Sequence, residues 1–159
     1  MKPTLQNHLL FLAISTFLLC AGCTTGPNYT QTPKITIPAG KALIYVYRKP
    51  DPAGGLDTWN IAMNGQYLGN LKNGTYLTYV ANPGKTEISG RKGPSFTWGV
   101  INALDTDHKM LEVTAEPGKT YYVRFMWALP NGLQMPYGKL EWVRDETGAK
   151  QIRQCKMAK

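Results

Sequence analysis

The chain has 159 residues, a formal net charge of +8 and a hydrophobic fraction of 43%. That length suits one domain with a single core, and it excludes an array of several domains. The 16 glycines and 11 prolines favour short strands joined by tight turns, which argues against a mainly helical fold.

The first feature of the chain is a short apolar run at residues 9–19. A helix needs about 20 apolar residues to cross a bilayer, so this run is too short to span one and remain there. Lys2 precedes it, and the small residues Ala21 and Gly22 follow it, as in cleaved export signals. The pattern predicts a signal peptide at residues 1–22 that is removed just before Cys23.

The end of this run, Leu19-Cys20-Ala21-Gly22-Cys23, resembles the lipobox of bacterial lipoproteins, although Cys20 occupies the position that is usually Leu. The resemblance implies that the Cys23 thiol carries diacylglycerol, and two or more acyl chains make an anchor effectively permanent. Thr24, in place of Asp, implies the outer membrane, with the domain facing the periplasm. The alternative is an ordinary secretory signal with two incidental cysteines.

The chain contains three cysteines, and this interpretation assigns the first two. Cys20 leaves with the signal and Cys23 is lipidated, so Cys155 stands alone. An internal disulfide and a cysteine-based metal site are therefore excluded, and no cofactor is expected. Cys155 is either a quiet free thiol or a site of intermolecular pairing.

The basic charge favours anionic neighbours such as phospholipid or lipopolysaccharide headgroups, or acidic patches on proteins. An exported lipoprotein would not normally meet nucleic acid, which is therefore not an expected partner. The expected partners are the membrane, through the lipid anchor, and an unidentified protein or envelope polymer.

The mature chain opens with a segment that is rich in Thr and Pro. Residues 23–38 are predicted to be a lipidated, flexible tether, and residues 39–159 a single domain. The first strong strand, residues 42–48, is dense in β-branched and aromatic side chains on both faces, which predicts a central strand.

Three turns then follow in succession. Asn64-Gly65 is typical of a type I′ hairpin turn, which would set Met63 opposite Gln66 and Ile61 opposite Leu68. Further turns are predicted at residues 73–74 and 82–84, before strands at 75–80 and 85–89. Together they predict a meander.

The second half of the chain contains an irregular segment, residues 90–109, followed by more strands. The predicted elements are a strand at 110–115, a type II turn at 116–119, a strand at 120–129, a loop at 130–138, a strand at 139–143, and a short helix or tail from Asp145. In the second of these strands one face carries the apolar side chains and the other carries Arg124. About seven strands predict an all-β fold, an antiparallel β-sandwich.

Several of these turns and core strands occur together in a known arrangement. They are PAGKALIYVYR at 38–48, Asn64-Gly65 with Leu68-Gly69, Gly74-Thr75-Tyr76, Asn82-Pro83-Gly84 and PGKTYYVR at 117–124. This set resembles a family of small bacterial lipoproteins whose domain has no assigned function, and its turn pattern is similar to that of PEGA domains, which are compact β-sandwiches. The resemblance implies a fold and a compartment, and it carries over no functional residue.

Three sets of residues are candidates for function. Asp105, Asp107 and His108 could bind a divalent cation or perform acid/base chemistry, although the same run is typical of a solvated loop before a strand. Trp98 could offer a platform to sugar rings, and Arg48 and Arg124 could belong to a basic binding patch.

No catalytic signature is found after Cys23. The preferred hypothesis is a lipid-anchored, non-enzymatic β-sandwich module that contacts periplasmic proteins or envelope polymers. The alternatives are a glycan-binding lipoprotein that uses exposed aromatic side chains, and a metal-assisted hydrolase built on Asp105, Asp107 and His108.

Overall fold

Two β-sheets pack face to face in the computed structural model, which describes residues 26–52, 55–93, 109–128 and 137–158. The described residues form nine strands and one α-helix: β1 (Ala42–Arg48), β2 (Trp59–Met63), β3 (Gln66–Leu71), β4 (Thr75–Ala81), β5 (Gly84–Lys92), β6 (Lys109–Ala115), β7 (Thr120–Ala128), β8 (Tyr137–Val143), α1 (Asp145–Ile152) and β9 (Lys156–Met157). The described residues do not include the predicted signal peptide or five of the residues singled out above: Cys23, Trp98, Asp105, Asp107 and His108.

The strand order confirms an all-β sandwich. One sheet runs β8-β7-β1-β4-β9 and the other runs β3-β2-β5-β6. Most neighbours are antiparallel, as predicted, but β1 pairs in parallel with β7, and β4 pairs in parallel with β9. A parallel pair requires a crossover connection. The chain between β1 and β7 supplies it by building β4 and the strands β2, β3, β5 and β6 of the opposite sheet.

Strand β1 is central in its sheet, as its composition predicted. All seven of its residues are buried, and it pairs with β4 on one side and β7 on the other. Ile44 and Val46 point into the core between the sheets, whereas Tyr45 and Tyr47 belong to a second apolar cluster on the outer face. The absence of polar alternation in β1 therefore reflects burial on both faces.

The hairpin between β2 and β3 has the predicted turn but not the whole predicted register. Asn64 and Gly65 have φ angles of 49° and 77°, and Met63 lies opposite Gln66. A bulge between Ile61 and Ala62 then shifts the pairing, so Ile61 faces Gly69. The prediction that Ile61 faces Leu68 was wrong, because a bulge sets an extra residue on one strand.

The predicted meander was also wrong. The turns at Gly74 and Gly84 are present, with positive φ angles of 67° and 107°, but β3 and β5 lie in one sheet and β4 lies in the other. Strand β4 pairs with β1 over six residue pairs. A turn reverses the chain, but it does not determine which sheet receives the next strand.

The second half of the chain follows the predicted facing pattern. Lys119 donates its backbone N–H to the Glu116 carbonyl at 3.2 Å, and Gly118 has a φ of 75°, which fits the predicted type II turn. In β7, Val123 and Phe125 face the core and Arg124 faces outward. Helix α1 forms where a short helix or tail was predicted, and the short strand β9 was not anticipated.

A third layer covers the outer face of the five-stranded sheet. Residues 26–37 and helix α1 pack there against the cluster that contains Tyr45, Tyr47 and Tyr122. The Gly26 N–H donates to the Met157 carbonyl at 3.1 Å, and the Tyr29 N–H donates to the Cys155 carbonyl at 3.0 Å. The described part of the predicted tether therefore lies against the domain, because its Tyr and Ile side chains bury apolar surface.

Candidate binding pocket

Four tyrosine rings cluster where the N-terminal segment crosses the five-stranded sheet. Tyr45 from β1, Tyr76 from β4 and Tyr122 from β7 come from the sheet, and Tyr29 comes from the segment. The Tyr29 ring centroid lies 5.7 Å from that of Tyr45 and 5.4 Å from that of Tyr76, both edge to face. Tyr45 stacks on Tyr122 at 5.5 Å. Such pairs stabilise the packing beyond their buried area.

Beside these rings lies a cavity of about 210 Å³, which we call the tyrosine pocket. Its lining residues are Tyr29, Thr30, Thr32, Pro33, Lys34, Ile35, Tyr45, Tyr76 and Arg153. Lys34 and Arg153 are exposed, and the described lining residues include no carboxylate. The pocket therefore combines an aromatic wall with positive charge.

Hydrogen bonds hold the segment that forms one wall. The Tyr76 hydroxyl donates to Thr32 Oγ1 at 3.1 Å, and the Thr32 hydroxyl donates to the Asn28 carbonyl at 3.0 Å. Thr32 is thus fixed from the sheet below and from its own segment. These hydrogen bonds hold this wall of the pocket in place without a bound ligand.

The phenols of Tyr45, Tyr76 and Tyr122 stay protonated at neutral pH. Burial, followed by the neighbouring Tyr29, raises the pKa of Tyr45 well above its usual value, and the same causes raise the pKa of Tyr122 to about 12. Burial also raises the pKa of Tyr76. These groups are therefore neutral hydrogen-bonding groups and apolar surfaces, and they are not nucleophiles.

Arg124, a predicted binding residue, lies outside this pocket and is engaged within the fold. Its guanidinium forms an ion pair with Glu141 on β8 and donates to Gln151 Oε1 on α1 at 3.2 Å. The Tyr47 hydroxyl donates to the same Gln151 oxygen at 2.6 Å. Burial raises the pKa of Tyr47 to about 12, while the Arg124 charge acts in the opposite direction. Arg124 therefore ties the helix to the sheet.

Arg48, the second predicted binding residue, is only 2% exposed. Its Nη1 donates to the Asp57 carbonyl at 2.9 Å, and its Cζ lies 5.6 Å from the centroid of the Phe125 ring. Burial lowers its pKa, and the charges of Asp57 and Asp51 act against that shift. Arg48 and Arg124 do not form a common surface patch, because the first is in the interior and the second is paired on the outer face.

Cys155 is the free cysteine in the described part of the chain, and it is buried at 1% exposure. Its thiol donates to the Arg48 carbonyl at 3.4 Å. Burial raises the pKa of the thiol to about 12, while the Lys49 charge acts in the opposite direction. Of the two roles that the sequence left open, this environment favours the quiet thiol over intermolecular pairing.

The exposed aromatic side chains do not form one platform among the described residues. Tyr67 is 64% exposed on β3, whereas Trp142 and Tyr137 are 59% and 42% exposed on β8 in the other sheet. On β8, Trp142 and Tyr137 are an odd number of positions apart and so point to opposite faces. Trp98, the predicted platform residue, lies outside the described residues.

The residues of the predicted metal site, Asp105, Asp107 and His108, also lie outside the described part of the chain. Within that part, no group of three or more His, Cys, Asp and Glu side chains could hold a metal ion. No helix in the described residues has the length and hydropathy needed to cross a bilayer.

Sequence reasoning missed the tyrosine pocket because Tyr29 and Lys34 fall in a segment that its composition marked as a tether. One signal was present: Tyr29, Ile35 and Ile37 supply apolar side chains that a solvated linker does not need. Arg153 reaches the pocket from beyond α1, and its position depends on how the helix docks.

The fold and the site define a β-sandwich domain that carries an aromatic, positively charged pocket on an outer face. The chain belongs to the family described as "Protein of unknown function (DUF2846)", whose sequence profile matches residues 38–135. Tyr45, Tyr76 and Tyr122 fall inside the matched range, whereas Tyr29, Lys34 and Arg153 fall outside it. Neither the curated proteins nor the solved structures include a significant match.

Proposed function

We propose that the protein is a lipid-anchored lipoprotein of the bacterial envelope, and that its β-sandwich is a non-enzymatic interaction module facing the periplasm. The tyrosine pocket is the binding site in this proposal, and its partner is a periplasmic protein or an envelope polymer. The observation that carries the proposal is the concave surface lined by Tyr29, Tyr45 and Tyr76 beside the exposed cations Lys34 and Arg153. Pockets of this kind bind by packing and by a few oriented polar contacts.

The anchor in this proposal is the thiol of Cys23. Its support is the sequence around it: an apolar run too short to span a bilayer, small residues before the cysteine, and Thr24 after it. The placement in the outer membrane follows from the same resemblance.

The non-enzymatic assignment is supported by what the reactive groups do. The Cys155 thiol, with a pKa raised to about 12, remains protonated at neutral pH and has little nucleophilic character. Arg124 is paired with Glu141, and Arg48 is buried against Phe125. These side chains stabilise the fold, so they are not available to a substrate.

A glycan is the second candidate ligand, and the rings of the pocket favour it. Sugar rings stack on tyrosine faces, and Tyr29 is the half-buried tyrosine of the pocket, with the Thr30 and Thr32 hydroxyls beside it. The cavity is somewhat larger than the 150 Å³ space that holds one benzene molecule in a protein core, which suits a single sugar ring.

The experiment that tests the proposal joins an anchor assay to a partner assay. Cells grown with labelled palmitate should yield a labelled protein, and its intact mass should show processing before Cys23 with added acyl chains. Replacing Cys23 with Ala should abolish the label. An unlabelled mature protein would contradict the anchor.

For the partner, a photo-crosslinking amino acid is placed at Lys34 beside the pocket, with Lys119 in the turn before β7 as the matched exposed control. The proposal expects a discrete adduct from Lys34 that Lys119 does not give. Identical adducts from both positions would contradict a role for the pocket.

A further inference from the structure

We propose that the tyrosine pocket and the cations around it, Lys34, Arg153 and Lys156, face the bilayer that holds Cys23 and bind the phosphate of anionic phospholipid headgroups. This inference rests on the lipid anchor proposed above. It assigns the pocket to the membrane surface in place of the protein or polymer named above, and a protein adduct from Lys34 in the crosslinking experiment would contradict it.

The first step of the argument is the length of chain between the anchor and the domain. Gly26 is buried and fixed to the Met157 carbonyl at 3.1 Å, and it follows Cys23 by only three residues. Three extended residues span about 10 Å at most. An acylated Cys23 lies at the membrane surface, so the chain enters the domain within that distance of the headgroups.

The second step is that the pocket lies on the same side of the domain as this entry point. The Asn28 backbone pairs with Lys156 on β9, and Tyr29, the next residue, lines the pocket. The chain then passes Lys34 on the rim before it reaches β1. A domain held this closely by Gly26 presents its N-terminal segment to the membrane.

The third step is charge complementarity. Lys34, Arg153 and Lys156 are exposed, and none of them forms a salt bridge with another described residue. Cations near the surface of an anionic leaflet are attracted within a Debye length, about 8 Å at physiological ionic strength. Lys156 pairs with Asn28, two residues after Gly26, and Lys34 and Arg153 line the pocket that Tyr29 enters.

The fourth step is the chemistry of the pocket. A guanidinium or ammonium group donates strong, charge-assisted hydrogen bonds to phosphate oxygens. The half-buried Tyr29 ring and Ile35 offer apolar contact to the carbons of a glycerol unit, and the described lining offers no carboxylate that would repel the phosphate. A cavity of about 210 Å³ suits a group of this size.

The test uses the mature lipoprotein in nanodiscs made of phosphatidylcholine alone or with one third phosphatidylglycerol. Hydrogen–deuterium exchange is measured for peptides that cover residues 26–37 and 153–158. We expect exchange in both peptides to slow at least threefold in the anionic discs relative to the neutral ones. We also expect 500 mM NaCl to remove the difference, because salt screens contacts between charges and lipid.

The variant K34E/R153E/K156E should lose this protection in anionic discs. The matched control K85E/R91E/K119E changes the net charge equally, on β5 and in the turn before β7, and should keep it. Near-UV circular dichroism checks that both triple variants are folded. The salt experiment uses the unmodified protein, so it tests the inference even if a variant does not fold.

Equal exchange in the two lipids, or equal loss in the two triple variants, would overturn the membrane-facing surface. The intact mass of the same samples distinguishes a failure of the membrane-facing surface from a failure of the lipid anchor. Acylated protein without lipid-dependent protection rejects only this inference, whereas protein without acyl chains rejects the proposed anchor.

Discussion

Cys155 shows how a single side chain takes its chemistry from its surroundings. Its thiol is 1% exposed, and burial raises its pKa to about 12. At pH 8 a thiol with that pKa is about a thousandfold less ionised than one with the ordinary pKa near 9. The native thiol is expected to react with Ellman's reagent at least about 100-fold more slowly than the same thiol in concentrated guanidinium chloride. Equal rates would contradict the buried environment.

The same shift makes stability depend on pH. Below about pH 9 the Cys155 thiol is protonated in both the folded and the unfolded protein. Its full contribution to the free energy of unfolding is therefore present at those pH values. Between about pH 9 and 12 the unfolded Cys155 loses its proton and the native one keeps it, which lowers the free energy of unfolding by about 1.4 kcal/mol per pH unit.

Urea denaturation of the protein and of Cys155→Ala at pH 7.5, 9 and 10.5 measures this effect. As the pH rises above 9, the free energy of unfolding of Cys155→Ala should fall less steeply than that of the unmodified protein. The difference in slope should be about 1.4 kcal/mol per pH unit, the contribution of one titrating group. Parallel pH profiles for the two proteins would show that the thiol does not carry the effect.

The pair of Arg124 and Glu141 is a second case at this scale. Its side chains are 22% and 25% exposed, whereas those of the surface pair Lys85 and Glu112 are 76% and 56% exposed. Water screens the exposed pair almost completely. We expect a double-mutant cycle of Arg124→Met and Glu141→Gln to give a coupling energy of about 1 kcal/mol, and the matching cycle at Lys85 and Glu112 about 0.3 kcal/mol or less. Equal couplings in urea denaturation would contradict this ranking.

Among the secondary-structure elements, α1 depends most clearly on how closely it approaches the sheet. Gly148 lies in the helix and is buried, and a Cβ there would overlap the ring and Cβ of Tyr122. Alanine is favoured over glycine in a helix by about 1 kcal/mol, but overpacking of a close contact costs about 1–3 kcal/mol. The contact is with a side chain held in the tyrosine cluster, so the steric cost prevails.

Gly148→Ala is therefore expected to lower the free energy of unfolding by up to about 2 kcal/mol, measured by urea denaturation. The control is Thr147→Ala, one position earlier on the exposed side of the helix, which should be neutral or slightly stabilising. A stabilised Gly148→Ala would mean that the helix moves away from Tyr122 at little cost.

The elements also show which structural features local sequence patterns predict and which they do not. Asn64 and Gly65 predicted the hairpin turn because a type I′ turn requires two positive φ angles, a requirement that neighbouring strands do not alter. The predicted pairing of Ile61 with Leu68 was wrong because a bulge after Ile61 shifts the register, and the turn residues do not encode that bulge. The composition of residues 23–38 predicted a tether, yet Tyr29, Ile35 and Ile37 pack against the domain, because composition does not reveal an apolar surface elsewhere that can receive them.

For the whole molecule, the position of β1 leads to a prediction about local stability. This strand is buried at all seven positions and bonded on both sides, whereas β3 is at the edge of the other sheet and largely exposed or half-buried. Core strands open only with global unfolding, and edges open locally. In hydrogen exchange followed by NMR at neutral pH, the slowest amides are expected in β1, and those of β3 should exchange at least tenfold faster. Comparable protection in both strands would contradict this placement.

The overall topology could be predicted only in class. Short strands, paired glycine turns and apolar alternation predicted an all-β sandwich, and the two packed sheets confirm it. The parallel pairing of β1 with β7, and the separation of β4 from β3 and β5, join residues far apart in the chain. No local pattern encodes such pairings, because they depend on which buried faces match in three dimensions.

The amino-acid sequence by itself determined the turns, the central strand and the outward-facing Arg124, because each depends on backbone conformation or side-chain alternation. The tertiary structure alone decided that Arg48 is buried, that Arg124 is paired with Glu141, and that Tyr29, Lys34 and Arg153 meet Tyr45 and Tyr76 around one pocket. The physical reason is distance along the chain: burial and charge pairing arise between segments that only the completed sandwich brings together.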